Sequence, residues 1–182
     1  MSFDPAHGEV QLPRPALEVL VRSATRDRAG TGLALREAGR AAGSEIAGRI
    51  EALSPASGIG ASAFWAAVNA ETVARGLGTI RWASRSDAAS EVVAVDAVDV
   101  IAAGTRTEEP GPARPEAPFS EGFVEGLLSR VAGEPVGSLA VDLREAGGAF
   151  SLHLLVGSPT FLRIVRRRLD SGADLGKALE ES

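Results

Sequence analysis

The stretch Pro118–Val136, PFSEGFVEGLLSRVAGEPV, decides how this chain folds. Its apolar residues Phe119, Phe123, Leu127 and Leu128 recur at helical spacing, and Pro118 suits a first helical turn. Glu121 falls near the positive end of the helix dipole, and AGEP (Ala132–Pro135) ends the helix. Gly122 and Gly126 sit one turn apart on one face, although each glycine inside a helix costs about 1 kcal/mol against alanine. Close packing on a sheet or another helix would explain them. The alternative is open space for a ligand, walled by Phe119 and Phe123.

The same spacing occurs upstream, in LALREAGRAAGSEIAGRIEAL (Leu33–Leu53). Here Leu35, Ala38, Ala42, Ile46, Ile50 and Leu53 form the helical stripe, and Gly39 and Gly43 interrupt it. Two glycine-faced helices either approach each other or cross a dimer axis, so Gly39 and Gly43 are candidate interface residues. Interleaved Arg and Glu exclude the membrane reading of a G-x-x-x-G spacing. SPASG (Ser54–Gly58) closes this helix. Ala63–Leu77 reads as the next, with Ser62 as its cap and Phe64, Trp65, Val68 and Val73 inward.

Between the two glycine helices the period changes to two. TIRWASR (Thr79–Arg85) and EVVAVDAVDVI (Glu91–Ile101) read as an antiparallel hairpin. Ala102–Ala117 is rich in Pro, Gly and charge, and reads as a long loop. After the central helix, VGSLAVDLRE (Val136–Glu145) predicts a third strand. Leu139, Val141 and Leu143 fall on one of its faces, Asp142 and Arg144 on the other. AGG is a hairpin turn and AFSLHLLVG (Ala149–Gly157) the fourth strand. Ser158-Pro159 opens a last amphipathic helix to about Leu169. Residues 1–15 read as a loose arm, 16–26 as a short helix, 16–170 as a single domain and 171–182 as a tail. The expected fold class is α+β, an antiparallel four-stranded sheet of two hairpins packed with helices.

Bulk composition narrows the function. The chain has 182 residues, net charge −5 and a hydrophobic fraction of 45%. That suits one globular domain able to bury a core without a metal or disulfide. The acidic balance disfavours nucleic acid as a partner. There is no cysteine, so thiol chemistry and disulfides are excluded. No apolar run approaches the roughly 20 residues of a membrane span, and the N-terminus lacks a signal-peptide pattern. The expectation is a cytoplasmic protein. Its richness in Ala, Gly and Arg points to a GC-rich bacterial genome.

The helix LREAGRAAGSEIA, a two-strand unit, and PFSEGFVEGLLSRVAGEPVGSLAVDLREAGGAFSLHLLVG together resemble the 4-vinyl reductase domain. That family is related to the small core subunits of the TRAPP vesicle tether. The resemblance spans about Leu33–Val156 and is strongest over Ser120–Val156. It implies an α+β sandwich that often dimerises through helices and acts as a small-ligand or aromatic-effector sensor. Some relatives serve tetrapyrrole metabolism, others assemble a vesicle tether. It also implies a zinc ion in many members. Here the family's cysteine positions fall at about Ala117, Leu143 and Ser151, and only the acid Asp142 remains. One carboxylate does not make a four-ligand zinc site, so the expectation is no metal and no cofactor.

The expected pocket comprises Phe64, Trp65, Trp82, Phe119, Gly122, Phe123 and Gly126. His153 lies on the same strand face as Ser151, where a histidine is ordinarily solvated or hydrogen-bonded. Asp142 and Arg144 could neighbour it, and an Asp–His pair can orient an imidazole for proton transfer, but no nucleophile is placed by the sequence. His7 lies in the arm. Arg163, Arg166, Arg167 and Arg168 form a basic face, ordinarily solvated and favourable at a helix C-terminus; an anionic partner is the alternative. GTGLALREAG does not follow a strand, which rejects a dinucleotide fingerprint. The leading expectation is a non-enzymatic homodimeric module binding a small hydrophobic ligand and signalling through a partner protein. A protein-interaction scaffold is the alternative. A tetrapyrrole-pathway accessory is third, since no hydride-cofactor site is visible.

Overall fold

A computed structural model describes residues 2–4, 9–11, 31–54, 58–84, 89–95, 115–146 and 149–180. The strands are β1 (Ser2–Asp4), β2 (Glu9–Gln11), β3 (Thr79–Ser84), β4 (Ser90–Val95), β5 (Gly137–Ala146) and β6 (Ala149–Gly157). The helices are α1 (Thr31–Leu53), α2 (Ala61–Ala74), α3 (Pro118–Ala132), α4 (Pro159–Asp170) and α5 (Leu175–Glu180). β1 and β2 pair as a separate two-stranded unit in the arm that the sequence leaves loose. The short helix expected over 16–26 and most of the loop expected over 102–117 lie outside the described residues.

The main sheet is antiparallel and four-stranded, in the order β3-β4-β6-β5. Its two hairpins meet where β4 pairs with β6, with Val92 opposite Leu154 and Val93 opposite His153. One face carries Ile80, Val92, Ala94, Ala140, Leu152 and Leu154 against α1, α2 and α3. The other carries Leu139 and Leu155 against Leu162 and Val165 of α4 and Ala178 of α5. The fold is therefore the expected α+β arrangement, with helices on both faces of the sheet.

Two stripes differ from the sequence reading. In α2 the buried residues are Phe64, Val68 and Thr72, a strict one-turn repeat, while Val73 is 56% exposed. In α1, Leu53 is 85% exposed, and the buried row runs through Gly39, Gly43, Ile46, Ala47 and Ile50. The α2 cap is Gly60 rather than Ser62, with no side-chain cap bond. In β5, strict alternation predicted one face for Leu139, Val141 and Leu143. A bulge between Ala140 and Asp142 shifts the register. Leu139 and Val141 then pack beneath α4, whereas Leu143 packs on the opposite side. One extra residue flips everything after it to the other face.

The glycines of α1 and α3 face each other within the chain. A Cβ on Gly122 would lie 1.9 Å from the Arg36 carbonyl oxygen, and one on Gly126 2.0 Å from that of Arg40. Reciprocally, a Cβ on Gly39 would lie 2.2 Å from the Phe119 oxygen, and one on Gly43 2.0 Å from that of Phe123. The paired numbers rise together, so the helices run in the same direction. Backbones this close place glycine Cα–H groups toward carbonyl oxygens, a weak hydrogen bond that recurs at helix–helix contacts. Of the two alternatives for these glycines, direct approach within one chain is the arrangement found. The faces of Gly39 and Gly43 are covered by α3, which removes them from a subunit interface.

Gly43→Ala or Gly122→Ala therefore forces the helices apart. We expect each to destabilise by about 2–3 kcal/mol despite alanine's better helix propensity. Gly48→Ala in α1, where the nearest atoms are the end of the Arg130 side chain at 3.7 Å, should be neutral or stabilising by up to about 1 kcal/mol. Urea denaturation of the three variants checks the contrast; equal effects at Gly43 and Gly48 would remove the close-contact explanation.

Candidate functional site

The helix contact aligns charges as well as glycines. Arg36 and Arg40 precede Gly39 and Gly43 by three residues, and Glu121 and Glu125 immediately precede Gly122 and Gly126. Glu121 and Glu125 are only 4% and 5% exposed. Arg36 reaches between them: its Nη1 donates to Glu121 and its Nη2 to Glu125, while Nε donates to Glu125 Oε2 at 3.1 Å. Nη2 also donates to the Ser138 carbonyl at 3.1 Å. Arg40 Nη2 adds a bond to Glu125 at 2.9 Å.

The same carboxylates close the outer edge of β5. The Ser138 amide donates to Glu125 Oε1 at 3.1 Å, and the Ala140 amide to Glu121 Oε1 at 2.8 Å. The spacing follows from geometry. Four residues of helix rise about 6 Å, and two residues of strand about 6.6 Å. Two glutamates one turn apart thus meet two successive outward N–H groups. Ser138 Oγ completes the network by donating to the Glu121 carbonyl at 2.7 Å.

Burial alone would push the Glu125 carboxyl up. The hydrogen bonds and charges of Arg36 and Arg40, with the Ser138 amide, outweigh it and hold the carboxyl below its ordinary value. Burial likewise opposes the charge on Arg36, yet its glutamate partners raise it overall. The sequence reading placed Glu121 only on the helix dipole and did not single out Glu125. The signal was present in the four-residue repeat of Arg on one helix and Glu on the other.

The expected pocket residues separate into different places. Phe119 and Phe123 stack with ring centroids 6.5 Å apart. With Thr72, Leu77, Ile80 and Ala94 they line an apolar cavity of about 10 Å³, room for no more than one water. Gly122 and Gly126 face the α1 backbone instead, so the space beside them is filled by protein. Phe64 packs in the core edge-on to Trp65, and Trp65 stacks on Trp82 with centroids 5.7 Å apart. Trp82 is 42% exposed and borders a shallow groove with Leu128, Val131 and Val156.

His153 is buried, and its Nδ1 pairs with Glu91 of β4 rather than with Asp142. Asp142 stands opposite His153 in register, but its carboxylate accepts from Arg144 Nε at 2.7 Å. The imidazole thus ties β6 to β4. Among the described residues no group of three or more His, Asp or Glu could hold a metal ion, and no helix is long and apolar enough to cross a membrane.

Glu125→Ala leaves Arg36 without its main partner and the Ser138 amide unbonded. A loss of about 3–5 kcal/mol is expected. The sign of the pH effect follows from the lowered carboxyl. Its stabilisation is fully present above the ordinary value of 4.5 and fades as pH falls through the lower folded value. Denaturant midpoints of wild type should therefore drop on acidification below that range, and those of Glu125→Gln should drop less.

No protein-family model matches the chain, and no curated protein does. Among solved structures the chain is similar to the phenol-responsive sensory domain of the transcription activator PoxR, determined with phenol. The TM-score is 0.57 at 14% identity, over 84% of this chain and 83% of that one. The antiparallel four-stranded α+β fold of this protein is thus the fold of a known sensory domain.

Proposed function

We propose that this protein is a non-enzymatic sensor module of the 4-vinyl reductase type that binds a small hydrophobic ligand. The observation that carries this reading is the fold shared along most of both chains with a phenol-responsive sensory domain. Within the chain, the apolar cavity beside Phe119 and Phe123 supports it, since it lies between α3, α2 and the sheet. At about 10 Å³ it is closed, whereas cavities that accept benzene measure on the order of 150 Å³. Ligand entry then requires displacement of Phe119 and Phe123, at the first turns of α3. Output passes through a partner protein, and the module dimerises through a surface other than the glycine seam.

The small cavity is also the observation that favours the second reading, a protein-interaction scaffold with a filled core. Native mass spectrometry and calorimetry with phenol and a panel of small aromatic and lipid probes separate the two. Binding of a probe, weakened by Phe123→Ala in a variant that still folds, is expected. Uptake of none, with a consistently ligand-free mass, would leave the scaffold.

The reading includes the absence of zinc. Ala117 and Leu143 have no donor atom, Ser151 offers at most a weak hydroxyl, and the Asp142 carboxylate is engaged by Arg144. Such a set does not fit tetrahedral zinc. Elemental analysis of purified protein should find far less than one zinc per chain, and chelator treatment should leave the denaturation midpoint unchanged. Stoichiometric zinc would refute this part of the proposal.

A further inference from the structure

A second cavity, of about 190 Å³, opens where the first turns of α4 meet the start of β5. Gly137 and Leu162 form part of its wall, and Arg36, Glu125, Arg163 and Arg166 line it. Its one lining carboxylate is fully engaged: Glu125 accepts from Arg36, Arg40 and the Ser138 amide. Arg36 is engaged with it, leaving little to offer outward. Arg163 and Arg166 differ. Arg163 is exposed and makes no ion pair or hydrogen bond among the described residues. Arg166 makes a loose ion pair, with Nη2 3.8 Å from Glu121 Oε2, beyond hydrogen-bond distance.

The result is a local excess of positive charge in a chain of net charge −5. Arg36, Arg40, Arg163 and Arg166 stand against Glu121, Glu125 and Glu37, the last paired with Arg40 outside the cleft. Arg163 and Arg166 project from neighbouring turns of one helix face, since residues three apart are adjacent there. The apolar wall lowers the local dielectric and strengthens attraction for an anion. Guanidinium groups match the planar, paired geometry of oxyanions.

We propose that this cleft binds a small oxyanion, a phosphate or carboxylate group, held by Arg163 and Arg166 over the charge of Arg36. The site is separate from the Phe119–Phe123 cavity: Phe123 of α3 lines one cavity and Glu125 the other. It does not depend on the sensor reading. It also divides the basic face of α4, since Arg167 does not line the cleft.

The test is calorimetric titration of the full chain with inorganic phosphate and, separately, with acetate, at fixed sodium chloride. Saturable binding of either is expected, and the stronger of the two names the group preferred. The double variant Arg163→Gln/Arg166→Gln should weaken binding at least about tenfold, through loss of charge-assisted hydrogen bonds. Arg167→Gln on the same helix should change it less than about twofold, as a surface charge screened by salt does. Circular dichroism confirms that the variants remain folded. No binding of either anion, or equal weakening by Arg167→Gln, would overturn the site.

Discussion

The contact on which the rest of the structure depends is the bare backbone seam between α1 and α3. Four glycines, Gly39, Gly43, Gly122 and Gly126, let two parallel helices touch carbonyl to Cα. The closeness is what makes the charges useful. With the backbones in contact, Arg36 lies within reach of both Glu121 and Glu125, and the two carboxylates reach past it to the amides of Ser138 and Ala140. A wider helix pair would leave the same residues buried and unpaired, which costs several kcal/mol per ion. Glycine's entropic penalty in a helix is the smaller term.

Among the described residues, each edge strand of the main sheet is met at one stretch by side chains of a helix. At β5 the carboxylates of α3 take the outward amides. At β3, Asn69 of α2 imitates a neighbouring strand: its Oδ1 accepts from the Ile80 amide at 2.7 Å and its Nδ2 donates to the Ile80 carbonyl at 2.7 Å. Exposed edges template association with other chains. Here the helices that cover the sheet face also occupy backbone groups of Ser138, Ala140 and Ile80, so packing and partial cover of each edge come from the same elements.

Much of this was legible in the sequence. The period-two runs located β3, β5 and β6 to within a residue or two, and Ser158-Pro159 marked the start of α4, where Ser158 caps the helix. The paired glycine spacings announced a close approach. Other features had no one-dimensional signature. The bulge at Val141 breaks the alternation that reading by period assumes, so Leu143 was assigned to the wrong face. Polarity hides Thr72, whose one-turn repeat with Phe64 and Val68 is the buried row, while apolar Val73 lies outside it. The aromatic residues looked like one pocket, but Trp82, Phe64 and Phe119 lie on different elements and only tertiary packing separates them. Glu125 gains its role only from arginine partners more than eighty residues away in the chain.

The four-residue repeat has one more implication, for alignment. On α1 the pattern of arginine and glycine recurs every turn, and on α3 that of glutamate and glycine does the same. A repeat against a repeat is ambiguous: a slide of one helical pitch, about 5.4 Å, again sets a glycine against a carbonyl and a glutamate beside an arginine. The seam alone is therefore a ruler without a zero mark. The zero is supplied by β5, whose Ser138 and Ala140 amides each donate to one particular carboxylate. Because β5 follows α3 after a short turn, the sheet edge fixes α3, and α3 in turn fixes α1. Register passes from strand to helix to helix, and the bond from Arg36 to the Ser138 carbonyl ties the longest helix in the described structure to the same point of the strand.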